Sequence, residues 1–186
     1  MSQHVCPWWK GYFLASPIRK LSTNPKKILS PYIKPGMKIL EVGPGMGFFT
    51  IPMAQMLNNK GKIYAVDLQD KMLSALNKNI RKKQLNKIVE TRLCNSDSLN
   101  IQDLKDQIDL AVLFYVVHEA KDQLHFFQQI KDAMKPGGQI FIIEPKGHVP
   151  EKNFEEMIKI LTEPPFAFGI DARPIVHKSY SVVVRV

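Results

Sequence analysis

Ile39-Leu40-Glu41-Val42-Gly43-Pro44-Gly45-Met46-Gly47-Phe48-Phe49-Thr50 reads as a buried strand that breaks into a glycine turn and re-emerges as a helix. Gly43 and Gly45 carry no Cβ, so the backbone there can take positive φ and approach a ligand more closely than any other residue allows. The helix that follows would aim unpaired N–H groups and the positive end of its dipole at a carboxylate or phosphate. A dinucleotide fingerprint needs the spacing G-x-G-x-x-G, whereas here the glycines fall as G-x-G-x-G and Phe48 follows. No glycine-rich loop closes in Gly-Lys-Ser or Gly-Lys-Thr, which excludes a P-loop.

Working outward, the periodicity predicts alternating strands and helices. Asn24-Pro25 is a helix start, a cap acceptor followed by a proline whose missing N–H costs nothing, and it opens a helix over 25–33 that Pro31 kinks or ends early. Lys34-Pro35-Gly36 then launches a strand over 37–42. A helix over 48–58 carries Phe49, Met53, Met56 and Leu57, a second strand ends at Asp67, and Asp70 to Leu85 sets Met72, Leu73, Leu76 and Ile80 on one face. A third strand covers 88–93. Ile108 to Val117 is apolar almost throughout, as a central strand buried on both faces should be. A helix over 122–134 places Leu124, Phe127, Ile130 and Met134 at helical spacing. Strand 139–144, helix 151–161 and two closing strands, 166–175 and 179–184, complete the chain. Strands alternating with helices imply right-handed crossovers and a mostly parallel sheet, and the last pair, with no helix between, implies an antiparallel finish.

The chain has 186 residues, 45% apolar and 23% charged, the composition of one globular domain with a substantial core. No apolar run approaches the roughly 20 residues that cross a bilayer, and the N-terminus lacks the order of a secretory signal, so the expected location is cytoplasmic. Cys6 and Cys94 are too few for a disulfide scaffold and wrongly spaced for a zinc ribbon. The net charge of +9 is spread through nearly every segment; the densest group, Lys78, Arg81, Lys82 and Lys83, lies along one helix and reads as a solvated face, which makes nucleic acid an unlikely partner. Nothing in the sequence speaks to oligomeric state.

The glycine turn, with Glu41 two places before it, resembles the first motif of class I S-adenosylmethionine-dependent methyltransferases, and the likeness extends over roughly residues 36–186, including the Lys135-Pro136-Gly137-Gly138 turn before the fifth strand. It implies a Rossmann-like α/β fold: a seven-stranded, mostly parallel sheet with one antiparallel strand near the C-terminus, helices on both faces, and residues 1–35 as an N-terminal lid or helical extension of a single domain. Carried over residue by residue, Glu41, Gly43 and Gly45 would hold the methionine moiety, Asp67 the ribose, and Asp97 the adenine. Leu68 and Met72 would offer apolar surface to the adenine, the backbone of Ser96 would contact the ring, and the Phe114 carbonyl would meet the amino-acid end. Asp67 reads alternatively as a turn aspartate and Asp97 as a cap for a helix over 98–104. A dehydrogenase is disfavoured by the misplaced third glycine and by a length that leaves no second domain.

Methyl transfer from a sulfonium needs alignment and exclusion of water, and a base only where the nucleophile must lose a proton. His118, just past the fourth strand, is the first candidate for a base or substrate orienter, with Tyr115 and Glu119 near it; otherwise it is a packing residue. No Asn-Pro-Pro-Tyr and no Pro-Cys stands at this strand end, which argues against amino-group methylation of adenine or glutamine and against a cytosine nucleophile. His4, Cys6, Trp8, Trp9, Tyr12 and Phe13 would form a substrate-facing aromatic wall, or merely cover the sheet edge. His4 and Cys6 alone make no metal site. The general look is closest to the small-molecule branch that includes ubiquinone and menaquinone C-methyltransferases, with S-adenosylhomocysteine as the product. An RNA-modifying enzyme and a non-catalytic cofactor-binding homologue are the alternatives.

Overall fold

The computed structural model describes residues 24–186. Seven strands form one sheet: β1 (Lys38–Val42), β2 (Lys62–Asp67), β3 (Val89–Leu93), β4 (Ile108–Phe114), β5 (Met134–Pro145), β6 (Gly169–Ala172) and β7 (Ser179–Arg185). Their order is β3-β2-β1-β4-β5-β7-β6, parallel through β5, with β7 antiparallel to both of its neighbours. The chain works outward from β1 to β3 and then returns to pair β4 against the other side of β1. The carboxyl end of β1 is therefore where the strand order reverses and where a crevice opens.

The period of two along each strand sorts the core into two layers. On one face Val42, Val66, Leu113 and Ile142 pack with Phe127 and Ile130 of α4 (Gln123–Ala133) and with Phe154 and Leu161 of α5 (Glu151–Thr162). On the other face Ile39, Ile63, Val112 and Phe141 lie with Leu29 of α1 (Pro25–Leu29), Met53 of α2 (Thr50–Met56), and Leu76 and Ile80 of α3 (Asp70–Lys82). One-turn 3₁₀ segments lie at Gln102–Leu104 and Val117–Glu119.

Where the structure departs from the periodicity, local chemistry accounts for it. The Asn24 side chain caps α1 by accepting the N–H groups of Lys26 and Lys27, but the helix stops at Leu29 instead of reaching 33: Ser30 keeps helical dihedrals, and Pro31, which has no N–H, cannot continue the ladder. The helix expected over 48–58 is regular only from Thr50 to Met56. β4 ends at Phe114, not 117, because Tyr115 takes a positive φ of 63°. Leu124 is 51% exposed despite its helical spacing: it sits in the first turn of α4, at the open carboxyl edge of the sheet. No helix covers 98–104 beyond the 3₁₀ turn. β5 begins at Met134, with Lys135 to Gly138 as an irregularity between the Ile108–Met134 and Leu110–Gln139 pairs. The strand expected over 166–175 shrinks to Gly169–Ala172, because Phe166 and Phe168 turn inward and join the core beside Phe127.

Gly47 joins the glycine turn to α2 at φ 97°, and a Cβ there would stand 2.7 Å from Leu76 Cδ1. Gly47→Ala therefore combines backbone strain with overpacking and should cost about 2–4 kcal/mol of unfolding free energy, read from the denaturant midpoint.

Candidate functional site

β1 runs out of apolar side chains at Gly43, whose φ of 73° turns the chain while its N–H still bonds the Val66 carbonyl of β2 at 2.9 Å. Gly45, at φ 54°, donates its N–H to Asp67 Oδ2 at 3.3 Å, and Gln69 donates to Oδ1 at 2.9 Å. The carboxylate that ends β2 is thus folded back onto the turn that ends β1. Asp67 is only 8% exposed, and burial raises its pKa although the N–H groups of Gln69, Gly45 and Leu68 pull the other way. Open space surrounds the position a Gly45 Cβ would occupy, while at Gly43 a Cβ would stand 3.1 Å from Val116 Cγ2.

Beneath the turn, Glu41 is 3% exposed. Its Oε2 has no hydrogen-bond partner among the described residues, and neither has the hydroxyl of Thr50 opposite. Desolvation pushes the Glu41 carboxyl up to about 8; the neighbouring Thr50 hydroxyl opposes that shift and the Asp67 charge adds to it. An orphaned buried carboxyl under an open main-chain cradle is an arrangement that a ligand cation and donor groups would complete.

The other predicted cofactor residues surround this crevice unevenly. Leu68 is part-exposed and Met72 buried. Ser96 and Asp97 are exposed. Asn95, not Asp97, accepts the local backbone N–H groups, while the Asp97 carbonyl takes His125 Nε2 at 2.9 Å. Phe114 is buried at the β4 terminus. Cys94 is buried next to Asp67, with its thiol pushed up to about 12 chiefly by desolvation, so it is no nucleophile at neutral pH.

The exit of β4 divides the predicted chemistry between the two faces. The Tyr115 ring packs with Phe49 and its hydroxyl lies 3.3 Å from Ser179 Oγ, in the layer of α1 to α3. His118 faces the other layer. There its Nδ1 lies 2.5 Å from Glu144 Oε2, and Glu144 Oε1 accepts the Val117 N–H at 2.8 Å. Glu144 is the last residue but one of β5 and is 1% exposed. Burial would lower the His118 pKa, but the hydrogen bond and charge of Glu144, with the charge of Glu119, outweigh it and raise the value. His148 meets the His118 ring edge to face at 4.9 Å. The structure thus separates Tyr115 from His118. It also supplies a partner that sequence reasoning missed: Glu144 follows the apolar run Ile140 to Ile143, and a lone acid at a strand end is the same signal that marks Asp67. His4, Cys6, Trp8, Trp9, Tyr12 and Phe13 lie outside the described residues. Among the described residues no group of three potential ligands could hold a metal ion, and no helix is long and apolar enough to cross a membrane.

A family model for a methyltransferase domain matches residues 33–169. The chain belongs to that family. Among curated proteins, this methyltransferase domain is 29% identical over 112 residues to the demethylmenaquinone methyltransferase of Bacillus cereus, covering 60% of this chain and 46% of the relative. It is 24% identical over 111 residues to a ubiquinone/menaquinone biosynthesis C-methyltransferase of a Shewanella species, covering 60% and 43%. The chain thus spans less than half of the length of these relatives. A SAM-dependent methyltransferase structure from Aquifex aeolicus superposes with a TM-score of 0.85 at 24% identity, covering 98% of this chain and all of that one, a likeness of fold.

The methyltransferase domain carries a pH liability at Glu41. Below its unfolded pKa near 4.5 the carboxyl is neutral in both states; as pH rises toward the folded value of about 8, the unfolded state gains by ionising and stability falls. Glu41→Gln should remove that slope, of up to about 1.4 kcal/mol per pH unit. In denaturant titrations the substituted protein should be the more stable one at pH 8 and no more stable at pH 4.

Proposed function

We propose that this methyltransferase domain transfers a methyl group from S-adenosylmethionine to a small-molecule acceptor. The observation that carries the reading is the cradle itself: bare main chain at Gly45, the inward carboxylate of Asp67 and the unpartnered Glu41 converge at the switch point of the sheet. These residues fit that cofactor. Glu41 faces the place suited to its ammonium group, Asp67 has acceptor capacity for the ribose hydroxyls, and Leu68 and Met72 offer the apolar surface a flat base needs. Bound there, the cofactor supplies an electrophilic methyl on a sulfonium and departs as the neutral thioether S-adenosylhomocysteine.

The chain's own work is to hold, orient and keep water away. His118 is the group able to accept a proton at the acceptor, since its Nδ1 is engaged by Glu144 and its Nε2 has no partner among the described residues. Match to quinone methyltransferases over part of their length supports a small acceptor over RNA. The diffuse distribution of the lysines supports it too.

Calorimetric titration of S-adenosylmethionine should give micromolar or tighter binding. Asp67→Ala should weaken it at least about tenfold, since a buried acceptor worth about 1.5–3 kcal/mol is lost. Gly45→Ala should weaken it comparably. Because no atom stands near the Gly45 Cβ position, the stability cost there should be backbone strain alone, about 1–2 kcal/mol, without the overpacking of Gly47→Ala. Labelled cofactor incubated with fractionated cell extract should label a small-molecule fraction; label confined to RNA or protein would refute the acceptor class.

A further inference from the structure

The cleft behind His118 is a second built site, distinct from the cofactor cradle. Val117, Val149, Phe154 and Met157 give it an apolar lining, Gln123 and Asn153 add amides, and His118, Glu144 and His148 supply the ionisable groups; its volume is about 230 Å³. That lies below the roughly 300–1,000 Å³ of pockets that take drug-sized ligands, so the part of the occupant held between these residues is about the size of a single ring.

Charge narrows the occupant further. Among the described residues no lysine or arginine lines the cleft, so none of them would neutralise an entering carboxylate or phosphate as a fixed cation does. The one buried carboxylate lining the cleft, Glu144, is 1% exposed and is turned to His118 Nδ1 and the Val117 N–H, so little of it faces an ammonium. What His118 leaves unsatisfied is an acceptor. In its neutral form, with Nδ1–H held by Glu144, the imidazole presents the lone pair of Nε2, and no described residue donates to it. The ring of His148, tilted 71° to that of His118 with centroids 4.9 Å apart, forms an aromatic wall beside the imidazole.

We infer that this cleft binds the methyl acceptor as a compact, uncharged molecule bearing an acidic hydroxyl, with His118 accepting the hydroxyl proton and Glu144 acting as the positioning residue that fixes the imidazole. The inference rests on the reading of the chain as a methyltransferase. In the step, the O–H bond breaks with its electron pair left on oxygen, and a new N–H bond forms at Nε2. The anion so formed takes the methyl, while the pair of the breaking sulfur–carbon bond stays on sulfur. The imidazolium is stabilised by Glu144 and, more weakly, by Glu119, and it returns its proton to water at the cleft mouth. His148, from the loop after β5, is the other titratable group on this face.

A chromogenic probe tests the site without any methyl transfer. 4-Nitrophenol absorbs as its phenolate only after losing its proton, 4-nitroanisole has the same shape and no proton to give, and 4-nitrobenzoate is charged. Titrated into the full chain across pH 6–9, 4-nitrophenol should bind saturably and, when bound, should ionise at a lower pH than when free. 4-Nitroanisole should compete without colour, and 4-nitrobenzoate should not compete. Glu144→Gln, close to isosteric at a buried position, should lower the bound phenolate-to-phenol ratio about tenfold, the equivalent of about one pKa unit of imidazole basicity. His118→Ala should abolish the extra ionisation, and His118→Asn, which keeps a polar side chain and guards against a folding defect, should do the same. The inference is overturned if 4-nitrophenol fails to bind, if 4-nitrobenzoate competes equally well, or if bound ionisation survives in both His118 variants. Titration of S-adenosylmethionine into the same samples keeps the two readings apart: wild-type protein that does not bind it fails as a methyltransferase whatever the nitrophenol shows.

Discussion

Three carboxylates taken out of water at the ends of strands set the terms for this domain. Glu41 on β1, Asp67 on β2 and Glu144 on β5 are all nearly buried along the carboxyl edge of one sheet. An isolated carboxylate moved into protein interior is costly unless it finds hydrogen bonds or a cation, or gives up its charge. Each meets that demand differently. Asp67 is held by the backbone N–H groups of Gly45 and Gln69, Glu144 by an imidazole and the Val117 N–H, and Glu41 by becoming neutral beside a threonine hydroxyl that is itself unpartnered. The first two are satisfied within the fold. Glu41 is incomplete, and that difference marks the place where an outside molecule has most to offer.

The sheet makes the arrangement possible. Parallel strands point their carboxyl ends the same way, so polar residues that end separate apolar runs are gathered along one edge, and the reversal between β1 and β4 leaves a crevice there that no crossover helix covers. Through their middles the central strands β1, β2, β4 and β5 spend apolar side chains on both core layers, whereas the edge strands β3 and β6 carry Glu90, Arg92 and Asp171.

That edge explains what was legible in the sequence. The glycine turn and Asp67 followed from local signals, glycines needing positive φ and acids that end apolar runs, and the succession of strands and helices followed from periodicity. The faces of α3 and α5 followed from helical spacing. Leu124 broke the rule because spacing identifies a face but not how far along the helix the neighbouring layer extends. Tyr115 and His118 look like companions three residues apart, yet a positive φ at Tyr115 sends one to each side of the sheet, and nothing in a tyrosine's identity foretells that geometry. The Glu144 pairing joins residues 26 apart in sequence through the parallel alignment of β4 and β5. Only the register, in which Phe114 stands opposite Ile143, brings the two strand ends into contact.

The same exit from β4 mechanically joins the two halves of the site. Val116 sits against Gly43, so closely that an added Cβ there would press on its side chain. The next residue, Val117, gives its N–H to Glu144, and the one after that is His118. Three consecutive residues thus touch the cofactor turn, the buried carboxylate and the candidate base in succession. Tyr115, just before them, is fixed by its N–H to the Ile143 carbonyl at 2.7 Å and held at a φ that non-glycine residues rarely adopt. Strain at such a position persists only where its surroundings over-determine it. Here both flanks do so, β5 by backbone pairing and the glycine turn by contact. A displacement of the turn at Gly43 would be felt at Val116 and carried within two residues to the imidazole, so the cradle and His118 are registered to each other, as the proposed alignment of a methyl group with its acceptor would require.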